Sequence, residues 1–375
     1  MDPGMRWAAV LAVLVGCAPE PTTSETGTEP EVRVDGMLTT TTWSTRSDQD
    51  GEVDVPIEVG DATTSLMVSL STTQERPILL QLIDPSGEVV LDERDWRGDE
   101  KLTHAFDVLR KTNALNWPVR RTDEPLWAGT WHAIWASEHQ EGGRNPDDGV
   151  DLVVMTKDDP DPAQATITVR LVWADGVELG VGHEAAVQAA VQTWQRDWAA
   201  YGLSVDATFH TSDMDPTLPF TANGDLAVEA IAAEVADPGD IVVFLGDSMV
   251  YKPGVFGTGP NTPGTPYPGE YHFVAVALDM FIDPSGAIST DLARLLSETL
   301  SHETAHFMGV PHVVESDWAR YDALPDTPRC TTEATCESQA GRNLMFPFSQ
   351  CKPSCPVRTL TPDQVGVLQH YVGAR

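Results

Sequence analysis

Residues 290–312 read TDLARLLSETLSHETAHFMGVPH, and the reading of this stretch decides the rest. Leu292, Leu295, Leu296, Thr299 and Leu300 recur at helical spacing, which predicts a helix over Thr290 to Phe307 with one buried stripe. His302 and His306 stand four residues apart, so they share one face of that helix and both imidazoles reach a single metal ion. Glu303 follows the first of them and projects beside the same ion. Gly309 can take the left-handed backbone that ends a helix, and the chain then turns back to bring His312 as a third nitrogen ligand. Three protein ligands leave one coordination position open, the pattern of a catalytic rather than a structural zinc. Such an ion lowers the pKa of a bound water to about 7. Glu303 is then placed to act as general base and acid in amide hydrolysis.

The full pattern HExxHxxGxxH is matched at every fixed position, and in this the chain resembles the metzincin zinc peptidases. That family also carries a methionine turn downstream of the third histidine. Asn343-Leu344-Met345-Phe346-Pro347 is similar to that turn, most of all to its matrixin form, and makes Met345 the expected turn residue. The resemblance implies one catalytic zinc on His302, His306 and His312, with Glu303 as the proton carrier. It also implies an endopeptidase whose substrate lies extended along a sheet edge beside the cleft. Phe273 to Leu278 is the expected edge strand, with the loop Pro253 to Gly269 bordering the cleft and Phe346 and Phe348 lining a substrate pocket. One departure stands out. Astacin-like and serralysin-like members have a tyrosine two residues after the methionine, and Pro347 occupies that place here, with Tyr321 a weak candidate for an oxyanion donor. Pro328-Arg329-Cys330 echoes a cysteine switch but follows the active site and reads better as a disulfide cysteine.

Working back along the chain, strands and helices alternate from Thr166 onward. Strands are expected at Thr166–Trp173, Ser204–Phe209 and Ile241–Leu245, and helices at His183–Tyr201 and Gly224–Val235. Residues 165–375 are therefore expected to form an α/β, metzincin-like catalytic domain. Before it, Lys157-Asp158-Asp159-Pro160-Asp161-Pro162 is charged and proline-rich and reads as a domain boundary. Residues 31–156 read as all-β. Val53, Val55, Ile57 and Val59 alternate with polar positions, Asp84-Pro85-Ser86-Gly87 is a turn, and Trp131, Ala133 and Trp135 share one strand face. The expectation is a multidomain chain with an N-terminal β-sandwich. It resembles the jelly-roll accessory domains of secreted bacterial peptidases.

The first thirty residues read as processing signals. Arg6 precedes a short apolar run that ends in Leu14-Val15-Gly16-Cys17, similar to the lipobox of bacterial lipoproteins. Residues 1–16 are then a signal peptide, Cys17 carries the lipid, and residues 17–30 form a disordered tether. The expected location is the cell envelope of a bacterium, at the outer membrane or surface, with the membrane contacted through the lipid anchor. Setting Cys17 aside leaves Cys330, Cys336, Cys351 and Cys355, which in an exported protein suggest two disulfides with the pairing open. A second, structural zinc on these four is the competing reading. The chain carries 57 acidic against 23 basic residues, a formal charge of −34, which argues against a nucleic-acid partner. Calcium is an open second ion with no residue pattern to support it. The runner-up function is a lipid-anchored binding or adhesion protein with a vestigial metal site, and a third is a zinc hydrolase of a non-protein amide.

Overall fold

A computed structural model describes residues 27–72, 76–92, 100–101, 103, 111–139, 141–218, 226–249, 255–259, 262–267, 273–282, 285–349 and 355–375. Residues 1–16, Cys17, most of the expected tether and Cys351 lie outside the described residues.

Among the described residues, the first part of the chain supplies ten strands: β1 (Glu31–Asp35), β2 (Leu38–Arg46), β3 (Glu52–Val59), β4 (Thr63–Thr72), β5 (Arg76–Ile83), β6 (Val89–Asp92), β7 (Glu100–Lys101), β8 (Thr112–Trp117), β9 (Gly129–Glu138) and β10 (Gly149–Asp158). Nine of them form two antiparallel sheets, ordered β1-β2-β10-β4-β8 and β3-β9-β5-β6. Period-two patterning decides which face is buried. In β3, Val53, Val55, Ile57 and Val59 are buried while Asp54, Pro56 and Glu58 are exposed, and Trp131, Ala133 and Trp135 of β9 join the same core. The turn between β5 and β6 is closed by Asp84, whose Oδ1 accepts from the Ser86 and Glu88 amides at 2.7 and 2.9 Å. Within the expected tether, Thr28 exchanges two hydrogen bonds with Ser44 of β2.

The second part contains β11 (Ala165–Trp173), α1 (His183–Ala199), β12 (Leu203–Thr211), β13 (Thr217–Leu218), α2 (Leu226–Val235), β14 (Ile241–Gly246), β15 (Ser248–Met249), β16 (Gly257–Thr258), β17 (Phe273–Ala277), α3 (Thr290–Phe307), β18 (Tyr321–Asp322), α4 (Glu333–Ala340) and α5 (Pro362–His370). Its five-stranded sheet has the order β12-β11-β14-β17-β16. The first four strands are parallel and β16 runs antiparallel along the edge. Strands β14 and β17 are fully buried apolar runs, as a parallel sheet requires. Helix α1 buries Ala186, Val187, Ala190, Val191, Trp194 and Trp198, and packs on α3.

Here one expectation fails. Phe273–Ala277 is an interior strand, flanked by β14 on one side and β16 on the other. Among the described residues the edge on that side of the sheet is Gly257–Thr258, two residues that lie inside the loop expected merely to border the cleft.

The charged stretch at residues 157–162 is not a solvated linker throughout. Lys157 is completely buried, donating to the carbonyls of Gln369 and Ala374 at 2.9 and 2.6 Å, with Asp159 at 3.3 Å. Asn116 of β8 donates to His370 O at 3.0 Å and accepts from Val372 N at 2.9 Å. Ser69 meets Thr265 at 2.8 Å, Thr103 donates to Thr262 O at 3.1 Å, and β7 pairs in parallel with β18. The antiparallel sheets and the mixed sheet thus contribute to one continuous apolar core with polar ties across it.

Candidate metal centre

Helix α3 carries the first two ligands. Ser289 caps it by accepting from Leu292 N at 3.1 Å, and Leu295, Leu296 and Leu300 anchor its buried face. The helix ends at Met308, Gly309 takes a φ of 107°, and Val310 N returns to Ala305 O at 2.9 Å. A positive φ at this point is what lets the chain reverse within three residues and deliver His312.

His302, His306 and His312 offer one ligand nitrogen each, all within 4.8 Å of one another. Their Nδ1 atoms are occupied. His302 Nδ1 donates to Leu344 O at 2.7 Å, His306 Nδ1 donates to Val310 O at 2.7 Å, and His312 Nδ1 lies 3.3 Å from Glu315 Oε2. A carbonyl only accepts, so the first two rings carry their proton on Nδ1 and turn a bare Nε2 inward. Burial pushes the His302 imidazole down to about 3, with the His312 ring adding to the effect, so His302 is neutral at any ordinary pH. Its Nε2 stands 3.3 Å from His312 Nε2. The His302 Nε2 lone pair therefore faces the second ring nitrogen of His312, an arrangement that a cation between them satisfies. Two nitrogens each about 2.05 Å from a tetrahedral ion would stand about 3.3 Å apart. The donor set therefore fits a divalent metal of the zinc type.

Glu303 lies one turn after Thr299 on the helix, and both side chains face the edge strand. A Cβ placed on Gly257 would meet Glu303 Cγ at 2.7 Å and Thr299 Cγ2 at 2.9 Å, and one on Gly259 would lie 3.7 Å from Glu303 Oε2. Glycine at 257 is what allows β16 to pass this close to the carboxylate side chain. The pattern Gly257-Thr258-Gly259 is the sequence signal for this contact.

Met345 is fully buried. Its amide donates to Asn343 Oδ1 at 2.8 Å and its carbonyl accepts from Val313 N at 3.1 Å, so the turn touches the chain just after His312. The neighbouring Leu344 carbonyl is the partner of His302. Asn343 is held in turn by Gln364 at 2.8 Å. Phe346 is buried, Phe348 is exposed, and both gather around Trp318, with the Trp318 and Phe348 rings 5.5 Å apart. Tyr321 is committed elsewhere. Its hydroxyl is within 2.8 Å of Cys330 O and 3.1 Å of Trp318 O, which removes it as the oxyanion donor. Cys330 and Cys336 form a disulfide, and Cys355 is also disulfide-bonded. The structural-zinc reading of the four cysteines falls with that.

Two more groups belong to this site and were not legible beforehand. Glu315 sits behind His312, and Arg358 approaches the turn from the far side through a buried pair with Glu298 of α3.

No family profile and no curated protein matches the chain. Among solved structures it is similar to metalloproteinase-II from Bacteroides fragilis, at 12% identity and a TM-score of 0.35, over 59% of this chain and 62% of that one. It is also similar to a family two carbohydrate esterase from Clostridium thermocellum, at 11% identity and a TM-score of 0.15, over 58% of this chain and 65% of that one. In both cases the chain spans less than two thirds of its neighbour.

Proposed function

We propose that the chain is a zinc-dependent endopeptidase of the metzincin type that acts on proteins outside the cytoplasm. The observation that carries this reading is the inward convergence of three imidazole nitrogens whose Nδ1 atoms are already engaged. Zinc, when bound there, supplies a Lewis acid and an acidified water. Glu303, next to the first ligand and beside Gly257, takes the proton from the attacking water and hands it to the departing amine. The backbone of Gly257–Thr258, the last strand of the sheet among the described residues, would pair with an extended peptide, and the missing side chain at Gly257 keeps that edge close to Glu303. The aromatic group of Trp318 and Phe348 would receive an apolar side chain of the substrate. In the same reading Met345 is the methionine turn, Cys17 the lipid attachment point, and residues 31–156 an accessory domain to a catalytic domain at 165–375.

A peptide-library cleavage assay on the purified full chain, with and without a chelator, tests the activity. Chelator-sensitive internal cleavage is expected. Glu303→Gln should keep its metal while turnover falls about 10²–10⁴-fold, the range of acid–base catalysis. A metal-loaded Glu303→Gln protein that cleaves near the wild-type rate would sink the mechanism. A wild type that cleaves nothing but captures a partner through its antiparallel sheets would favour the adhesion reading.

A further inference from the structure

We infer that Arg358 is a positioning residue for the metal centre, bridging Glu298 of α3 to the turn that holds His302. The inference rests on the metal-site part of the proposed function and adds a residue to it.

Glu298 lies one helical turn before His302, on the same helix. Its side chain is 5% exposed and that of Arg358 6%. Arg358 Nε faces Glu298 Oε2 at 3.5 Å as a buried ion pair without a hydrogen bond, while Nη1 donates to Phe346 O at 3.3 Å and Nη2 donates to Phe348 O. The other Glu298 oxygen accepts from Arg294 Nε at 3.0 Å, and Arg294 reaches Asp197 of α1 at 2.7 Å. One planar guanidinium therefore spans the helix and two carbonyls of the turn. The segment around it is also tied by backbone, Leu344 N to Thr359 O at 2.8 Å and Thr359 N to Arg342 O at 2.9 Å.

These contacts close a ring. Helix α3 holds both Glu298 and His302. The turn presents Leu344 O to His302 Nδ1 and, two and four residues on, Phe346 O and Phe348 O to Arg358. The distance between helix and turn is thereby fixed on both sides of the methionine. That distance sets the Leu344 O–His302 hydrogen bond, which keeps the proton on Nδ1 and the lone pair on Nε2. Arginine suits this task because its fork is rigid and satisfies several acceptors at once, whereas lysine is a flexible point charge. Burial pushes Glu298 up, against the hydrogen bond from Arg294 and the charge of Arg358, and pushes Arg358 down, against the charge of Glu298.

The test is Co²⁺ binding to the full chain, read by its d–d absorption and by competition with a chelator. Arg358→Lys and Glu298→Gln should each remain cooperatively folded, lose about tenfold or more in Co²⁺ affinity, and shift the absorption bands, as loss of an outer partner does. Should either fail to fold, the double variant Arg358→Met/Glu298→Leu replaces a buried pair by apolar groups, an exchange that generally preserves folding. It should fold and still show the weaker, shifted Co²⁺ site. Wild-type affinity and spectrum in a folded variant of either kind would overturn the inference and leave Arg358 a stability contact. A wild type that binds Co²⁺ but cleaves no peptide would remove only the peptidase reading. A wild type that binds no Co²⁺ would remove the metal site and this inference together.

Discussion

The metal centre and the seam beneath α5 are built in opposite ways. At the centre, three ligands lie within eleven residues of sequence, and helical periodicity alone brings the first two together. At the seam, Lys157 reaches carbonyls more than two hundred residues away, and Asn116 does the same. The first can be read from spacing. The second has no sequence signature, because a buried lysine looks like a surface lysine until its acceptors are found. Local chemistry here rests on a long-range frame, and the frame touches the site. Val367 of α5 and Pro263 both pack against Gly309, the hinge that brings His312 round.

The largest effect should come from removing the frame altogether. A chain beginning at Ala165 exposes the core that β4, β8 and β10 cover and strands the Gln369, His370 and Ala374 carbonyls. It is expected to be insoluble or to unfold without a cooperative transition, as read by circular dichroism and calorimetry. A soluble, cooperatively folding and metal-binding fragment would show that the seam is dispensable and that the boundary at residues 157–164 separates two independent units.

Lys157→Ala asks the same question with one atom group. It leaves Asp159 uncompensated and two buried carbonyls unpaired, which should cost about 3–5 kcal/mol in denaturant unfolding. If seam and centre are independent, metal affinity should change by no more than about twofold, as for sites without shared partners. A larger loss of affinity would mean that strain passes through Val367 to Gly309.

Asp322 gives a seam effect of the opposite sign. It lies buried in the short ladder between β18 and β7, and one of its oxygens has no hydrogen-bond partner. Burial pushes its carboxyl up to about 7, with Asp326 adding to the rise and Thr327, Leu324 N and Arg329 opposing it. A carboxyl raised in the fold contributes stability that is full below about pH 4 and is lost as pH climbs through 7. Asp322→Asn should therefore match the wild type near pH 4 and exceed it at pH 8, by at most about 4 kcal/mol. A variant less stable than the wild type at pH 8 would show that the charged form is the one the ladder holds.

Much of this molecule was legible in its sequence, and the exceptions share a cause. Alternation in Val53–Val59 and helical spacing in Thr290–Phe307 are local, and the structure places both elements where the patterns put them. The edge strand was misplaced because Phe273–Ala277 carries the strong apolar signal, while Gly257–Thr258 is two residues long with no pattern of its own. Strong apolar strands belong in the middle of a parallel sheet, so the signal pointed to the wrong side of the edge. Lys157, Glu298 and Arg358 were invisible for the reason already given: a buried charge is defined by partners far along the chain.

The smallest effect sharpens the comparison within the metal centre itself. His302 and His306 are oriented by backbone carbonyls, Leu344 O and Val310 O, which no substitution can delete. His312 is oriented by a side chain, Glu315, 3.3 Å from its Nδ1. A carboxylate behind the ring strengthens the ligand nitrogen by stabilising the proton on the other side. Glu315→Gln keeps an acceptor and removes the charge, while Glu315→Ala removes both. Zinc affinity, measured by competition with a chelator, should fall by about tenfold in the first variant and further in the second. The order matters more than the size. Equal losses in both would make Glu315 a steric support, and no loss in either would mean that His312, like the other two ligands, is held by the backbone of its own turn.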